Sequence, residues 1–183
     1  TVMADGILHL LKKVKAAEAD EADVDISKIT PPLGGEFENV QLLDKKNTYE
    51  GAAIDCGDFT ETDTELQCVE RDLDLTQTPE MAYNWMFNGV EKDTEMKPFV
   101  MDITCTALLI MIKDSASVDV GVAEVFVDGE KVLTADPHIN GWTHCNPMIC
   151  FRGKERKSYH VEVKLAPGQE DKKFTILGFG YVE

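Results

Sequence analysis

The alternation of apolar and polar positions is clearest in the last third of the chain, where short β-patterned runs are separated by turn chemistry. Val118-Asp119-Val120-Gly121-Val122 leads into Glu124-Val125-Phe126-Val127, and Asp128-Gly129 separates this run from Glu130-Lys131-Val132-Leu133. An Asp-Gly pair between β-branched segments predicts a two-residue hairpin, because a type I′ turn needs positive φ at both central residues. Further strands are predicted at 158–165 and 174–182. Residues 99–112 begin with alternation and end in a continuous apolar run, and their Thr and Ile content favours a buried central strand over a helix. Fainter strand patterns lie at 37–43, 49–54, 66–69 and 81–87. The spacing of these runs suits a mainly β chain, an antiparallel β-sandwich with roughly eight strands.

One helix is predicted, over residues 1–17. Met3, Ile7, Leu10, Leu11 and Val14 fall on one face, and Lys12, Lys13 and Lys15 crowd the last turns, where cations complement the helix dipole. A short amphipathic helix alone at a terminus needs something to pack on. It is expected to dock on the sandwich or to belong to a neighbouring domain. The acidic run from Glu18 to Asp25, with Pro31-Pro32 and Gly34-Gly35 behind it, reads as a linker over 18–35, since like charges extend a chain and Pro-Pro blocks helix. The sandwich is then expected to occupy 36–183.

A chain of 183 residues with 43% hydrophobic content can bury one core and a modest appendage. Its formal charge of −16 argues against nucleic acid, whose phosphates call for clustered Lys and Arg, and against anionic membrane surfaces. No apolar run approaches the roughly 18 residues of a spanning helix. The chain opens at Thr1 rather than Met, which leaves room for a leader or an upstream domain. Cys56, Cys68, Cys105, Cys145 and Cys150 are odd in number and contain no Cys-x-x-Cys pair, which fits reduced, mostly buried thiols in the cytoplasm. A Cys145–Cys150 bridge is the alternative.

Catalytic motifs are scarce. Ser27, Ser115, Ser117 and Ser158 are the serines, and none sits in a Gly-x-Ser-x-Gly elbow. No Gly-rich phosphate loop is present, and Gly178-Phe179-Gly180 reads as close packing inside a strand. Asp136, His138, His144, Cys145 and Cys150 have a metal-like residue set without standard spacing, so loop polar groups and core thiols are the plainer reading. Asp55, Asp58, Glu61, Asp63 and Glu65 offer oxygens to calcium, although the EF-hand pattern is absent and a solvated acidic loop is the plainer reading. No cofactor is expected.

The binding candidates are aromatic residues with amides beside them. Asn140-Gly141-Trp142 is followed by His144 and Asn146-Pro147; Tyr83-Asn84-Trp85 is followed by Asn88-Gly89. A sugar presents an apolar ring face to an aromatic, and amides fix its hydroxyls; small-ligand sites in general join apolar walls to a few placed polar groups. Large aromatics also plug cores. Core is the better reading for Trp85, while the turn-rich loop around Trp142 leaves burial and exposure evenly matched.

Residues 123–132, Ala-Glu-Val-Phe-Val-Asp-Gly-Glu-Lys-Val, resemble the hairpin of the jelly-roll accessory domains attached to SGNH (GDSL-like) hydrolases. Asn140-Gly141-Trp142 with Asn146-Pro147, and the closing 174–181, fit the same resemblance, and residues 2–11 look like the last helix of such a hydrolase. The resemblance implies an accessory module of a carbohydrate esterase, partnered by an upstream hydrolase domain. The hydrolase chemistry does not carry over, because no histidine here has Asp three positions before it and Gly57-Asp58 is followed by Phe59 rather than Ser. The expected function is therefore non-catalytic: glycan recognition or support of a catalytic cleft, with Trp142, His144, Asn140, Asn146 and Trp85 as contact candidates. A structural or homo-oligomerising sandwich without ligand, and a metal-dependent enzyme built on Asp136, His138 and His144, are the alternatives.

Overall fold

The computed structural model describes residues 2–17, 28–29, 34–65, 81–90 and 95–183. They form two compact units, Thr1–Gly35 and Glu36–Glu183. In the first, helix α1 (Val2–Ala16) carries Asp5 in its first turn and Lys13 and Lys15 in its last, charges placed to suit the dipole at each end. No described helix is long and apolar enough to cross a membrane.

The second unit is mainly β, with eight antiparallel strands among the described residues: β1 (Gln41–Leu43), β2 (Ala52–Asp55), β3 (Trp85–Asn88), β4 (Phe99–Lys113), β5 (Ala123–Val127), β6 (Glu130–Ala135), β7 (Cys145–Leu165) and β8 (Lys173–Val182). The hydrogen-bonded order is β1-β8-β4-β7-β5-β6, with β2 beside β4 and β3 beside β8. The long strands β4 and β7 divide the sheet into two layers. Their Phe99-to-Cys105 and Lys157-to-Leu165 ends pair with each other and with β2 and β5, while their other halves pair with each other and with β8, which β1 and β3 flank.

The two layers face each other. Phe179 on β8 is paired opposite Ile110, yet its ring lies 5.5 Å from that of Phe99 on β4. On a straight strand Phe99 and Ile110 stand about 36 Å apart, so the sheet folds over at the middle of β4. The fold-over coincides with a break in register: Cys105 pairs with Lys157 and Ala107 with Arg152, so residues 153–156 of β7 stand opposite Thr106. Between the layers lie Phe59, Trp85, Phe87, Phe99, Phe174 and Phe179 with the aliphatic side chains of β4 and β7.

The Asp-Gly hairpin forms as its chemistry demands, with φ of 51° at Asp128 and 83° at Gly129. Other expectations are corrected. The 158–165 run is the end of a much longer strand, β7; residues 118–119 form a turn and Val120 only an isolated bridge; of 37–43 only β1 is strand, and 81–83 is turn. The 66–69 pattern, Cys68 and nearly all of the 18–35 segment lie outside the described residues. Cys145 and Cys150 do not bridge each other. Five positions apart on one strand, they point to opposite faces about 16 Å apart, beyond disulfide reach.

Candidate functional site

The end of β4 organises a polar cluster. Successive strand residues point to opposite faces, so Lys113 and Asp114 serve different neighbours. Lys113 donates through Nζ to Asp63 Oδ2 at 2.7 Å. Thr175 Oγ1 donates to the same oxygen at 2.8 Å, and the Glu65 N–H to Asp63 Oδ1 at 2.9 Å. Burial works against ionisation of Asp63, but these donors outweigh it and hold its carboxyl below the usual value. The pair borders a polar cavity of about 260 Å³ that also meets Ser117, Asp119 and Lys173.

Asp114 turns the other way and is completely buried. Its N–H continues the β4–β7 ladder by donating to the His144 carbonyl at 2.9 Å, and the next N–H, of Ser115, binds the Pro137 carbonyl at 2.8 Å. The 136–144 loop is thus pinned at both ends. Its carboxylate oxygens receive the side-chain amides: Asn146 Nδ2 donates to Oδ1 at 2.9 Å and Asn140 Nδ2 to Oδ2. A carboxylate only accepts, which fixes both amides with nitrogen inward; among the described residues no donor meets either side-chain carbonyl oxygen. His144 Nδ1 sits 3.1 Å from Asp114 Oδ2 but off the hydrogen-bond line, and no acceptor meets it among the described residues.

Trp142 lies flat on His144, with centroids 4.7 Å apart and planes 9° from parallel. Gly141, at φ 67°, provides the reversal between Asn140 and Trp142. Trp142 as a residue is 54% exposed although His144 covers one face of its indole, which leaves the other side to solvent. Asn140, Trp142, His144 and Asn146 are therefore brought together around one carboxylate. Trp85 stands apart from them: it is 5% exposed and packs against both Phe99 and Phe179, at 5.3 and 6.2 Å. Asp114 itself was not among the candidates. Its signal is a carboxylate two positions beyond the apolar run that ends at Ile112, where a charge is either solvated or committed to partners.

The metal reading finds a different geometry. His138 is engaged with Asp136 Oδ1 at 3.1 Å and donates through Nε2 to the Ser117 carbonyl at 3.2 Å, while His144 faces Asp114. Among the described residues no group of three or more His, Cys, Asp and Glu is placed to hold an ion. The acidic candidates at 55–65 are likewise spent separately: Asp55 accepts from the Gly57 N–H, Asp58 from the Lys97 N–H, and Asp63 from Lys113. Among the described residues no serine hydroxyl is hydrogen-bonded to His144. The Ser115 and Ser117 oxygens accept from the N–H groups of Ser117 and Asp119 within their own turn.

Among solved structures, the chain is similar to a two-domain esterase active on acetylated mannans, co-crystallised with mannopentaose, at a TM-score of 0.58 and 19% identity over 100% of this chain and 46% of that one. A further structure of a two-domain esterase active on acetylated mannans gives 0.55 and 18% over the same shares. An acetyl xylan esterase from Butyrivibrio proteoclasticus gives 0.45 and 14% over 78% of this chain and 32% of that one. At these identities the likeness is one of fold, and the chain spans less than half the length of the esterase chains that it matches. No family model matches the chain, and no curated protein matches it.

Proposed function

We propose that this chain is the non-catalytic accessory β-sandwich of a carbohydrate esterase, adjoining an SGNH-type hydrolase domain, and that the loop above Asp114 contacts glycan. The observation that carries the reading is the Trp142–His144 stack, which offers one indole face to solvent while the other is backed by a second ring. A pyranose ring stacks on such a face, and in this reading the carbonyl oxygens of Asn140 and Asn146 accept from its hydroxyls. Likeness of fold to two-domain esterases supports the same reading, as does the presence of mannopentaose in one of them. A neutral glycan also suits a chain of charge −16, which repels polyanions.

Calorimetric titration of the whole chain with mannopentaose tests it. The expected result is a binding isotherm that Trp142→Ala abolishes without loss of folded structure. An isotherm unchanged by Trp142→Ala, or no heat with the unaltered chain, contradicts the reading.

A further inference from the structure

Away from the Asp114 cluster, a cavity of about 350 Å³ opens between β1, the turn that follows it, β2 and β3. Its apolar wall is formed by Leu43, Ala52, Ile54 and the indole of Trp85, and Lys45 and Cys56 stand on its border. This size and lining are those of small-ligand sites, which are mostly apolar with a few convergent polar groups. Two donors on the wall are not fully used. Trp85 is 95% removed from solvent, and among the described residues no acceptor meets its N–H, although a buried indole ordinarily finds one. That nitrogen is nevertheless not among the atoms sealed off from water, and the cavity is the open space which this indole borders. Lys45 Nζ donates to the Glu61 carbonyl and to Thr62 Oγ1, both at 2.9 Å, leaving a third hydrogen.

We propose that this cavity binds a short, uncharged acyl group, its alkyl part against Leu43, Ala52 and Ile54 and its carbonyl oxygen accepting from Trp85 and Lys45. Donors without acceptors call for a ligand oxygen, and an apolar wall calls for a ligand with little else that is polar. Desolvation selects between a free carboxylate and an esterified acyl group, since an apolar wall strips water from a charge and an ester has none to lose. Asp44 also borders the cavity, with its own carboxylate committed to Lys46 and Asn47 within the turn. A second carboxylate beside it would stand against the same apolar wall, which leaves the esterified acyl group. The site does not depend on the Trp142 platform, and either stands if the other fails.

Alkylation of Cys56 by iodoacetamide, followed by peptide mass mapping, reads occupancy directly, with Cys145 in the same digest as a control located beside the Trp142 loop. Acetylated mannan oligosaccharides are expected to slow Cys56 labelling about fivefold at roughly four times their dissociation constant. The same oligosaccharides after alkaline deacetylation, and sodium acetate at equal concentration, are expected to leave the rate unchanged. Trp85→Phe, which keeps the ring and removes the N–H, and Lys45→Met are each expected to weaken protection about two- to tenfold. Slowing confined to Cys145 reports the platform alone and overturns the acyl site. So does Cys56 labelling that ignores the acetylated probe, or that falls equally with the deacetylated probe or with acetate.

Discussion

Asn146 donates to Asp114 across 2.9 Å, joining the start of β7 to the residue that follows β4. With Asn140 on the other oxygen and His144 beside it, one buried carboxylate sets the height and tilt of the Trp142 shelf. Asp114→Ala leaves two amides and a ring nitrogen facing a void, and a loss of about 2–4 kcal/mol is expected by urea denaturation. Asp114→Asn keeps the shape with one acceptor fewer and should cost less. Both variants should shift Trp142 emission to the red while the buried Trp85 contribution stays in place.

The two tryptophans separate core from platform. Trp85→Ala opens a hole among Phe99, Phe179 and their neighbours and is expected to cost about 3–5 kcal/mol. Trp142→Ala removes an exposed ring and should stay below about 1 kcal/mol. Equal losses in chemical denaturation contradict this assignment.

Acid sensitivity follows from Asp63. Its carboxyl is held below its ordinary value, so the folded state binds fewer protons than the unfolded chain as the pH falls below about 4. The stability contributed by Asp63 is complete above that pH and is lost as pH drops through the lowered folded value. Asp63→Asn should remove this component from the acid limb of a denaturation profile. At neutral pH the same variant also leaves Lys113 without its anion, so its stability there should fall as well.

Alkaline behaviour runs with the opposite sign. Burial pushes the Cys105 thiol up to about 11 and the Cys150 thiol up to about 12, against about 8.5 in an unfolded chain. The unfolded state therefore loses these protons first. Stability from the two thiols is complete below about pH 8.5 and declines as pH climbs toward the folded values. Urea midpoints at pH 7.5 and 10 should differ in that direction, and a Cys105→Ala/Cys150→Ala double variant should reduce the difference. Neither thiol should react with a thiol reagent at pH 8 until the chain unfolds.

Much of the sandwich was legible because its signals are local. Asp128-Gly129 can form a tight hairpin with little help from the rest of the chain, and the apolar density of 99–112 has few homes other than a central strand. The first half of β7 was not legible. Pro147, Gly153 and the charged run 152–157 break any alternation, and this half lies at a sheet edge where outward side chains meet water. The cluster around Asp114 was partly legible, since Asn140, Trp142, His144 and Asn146 are close in sequence. Asp114 joins them only through the long-range pairing of β4 with β7, which one strand's pattern does not reveal.

The most direct test of the glycan-contact reading is a ¹H–¹⁵N titration of the whole chain with mannopentaose. Shifts at the Trp142 indole and the Asn140 and Asn146 side-chain amides, with the Trp85 indole unmoved, are the outcome predicted here. A spectrum in which those three side chains stay fixed at saturating glycan contradicts it.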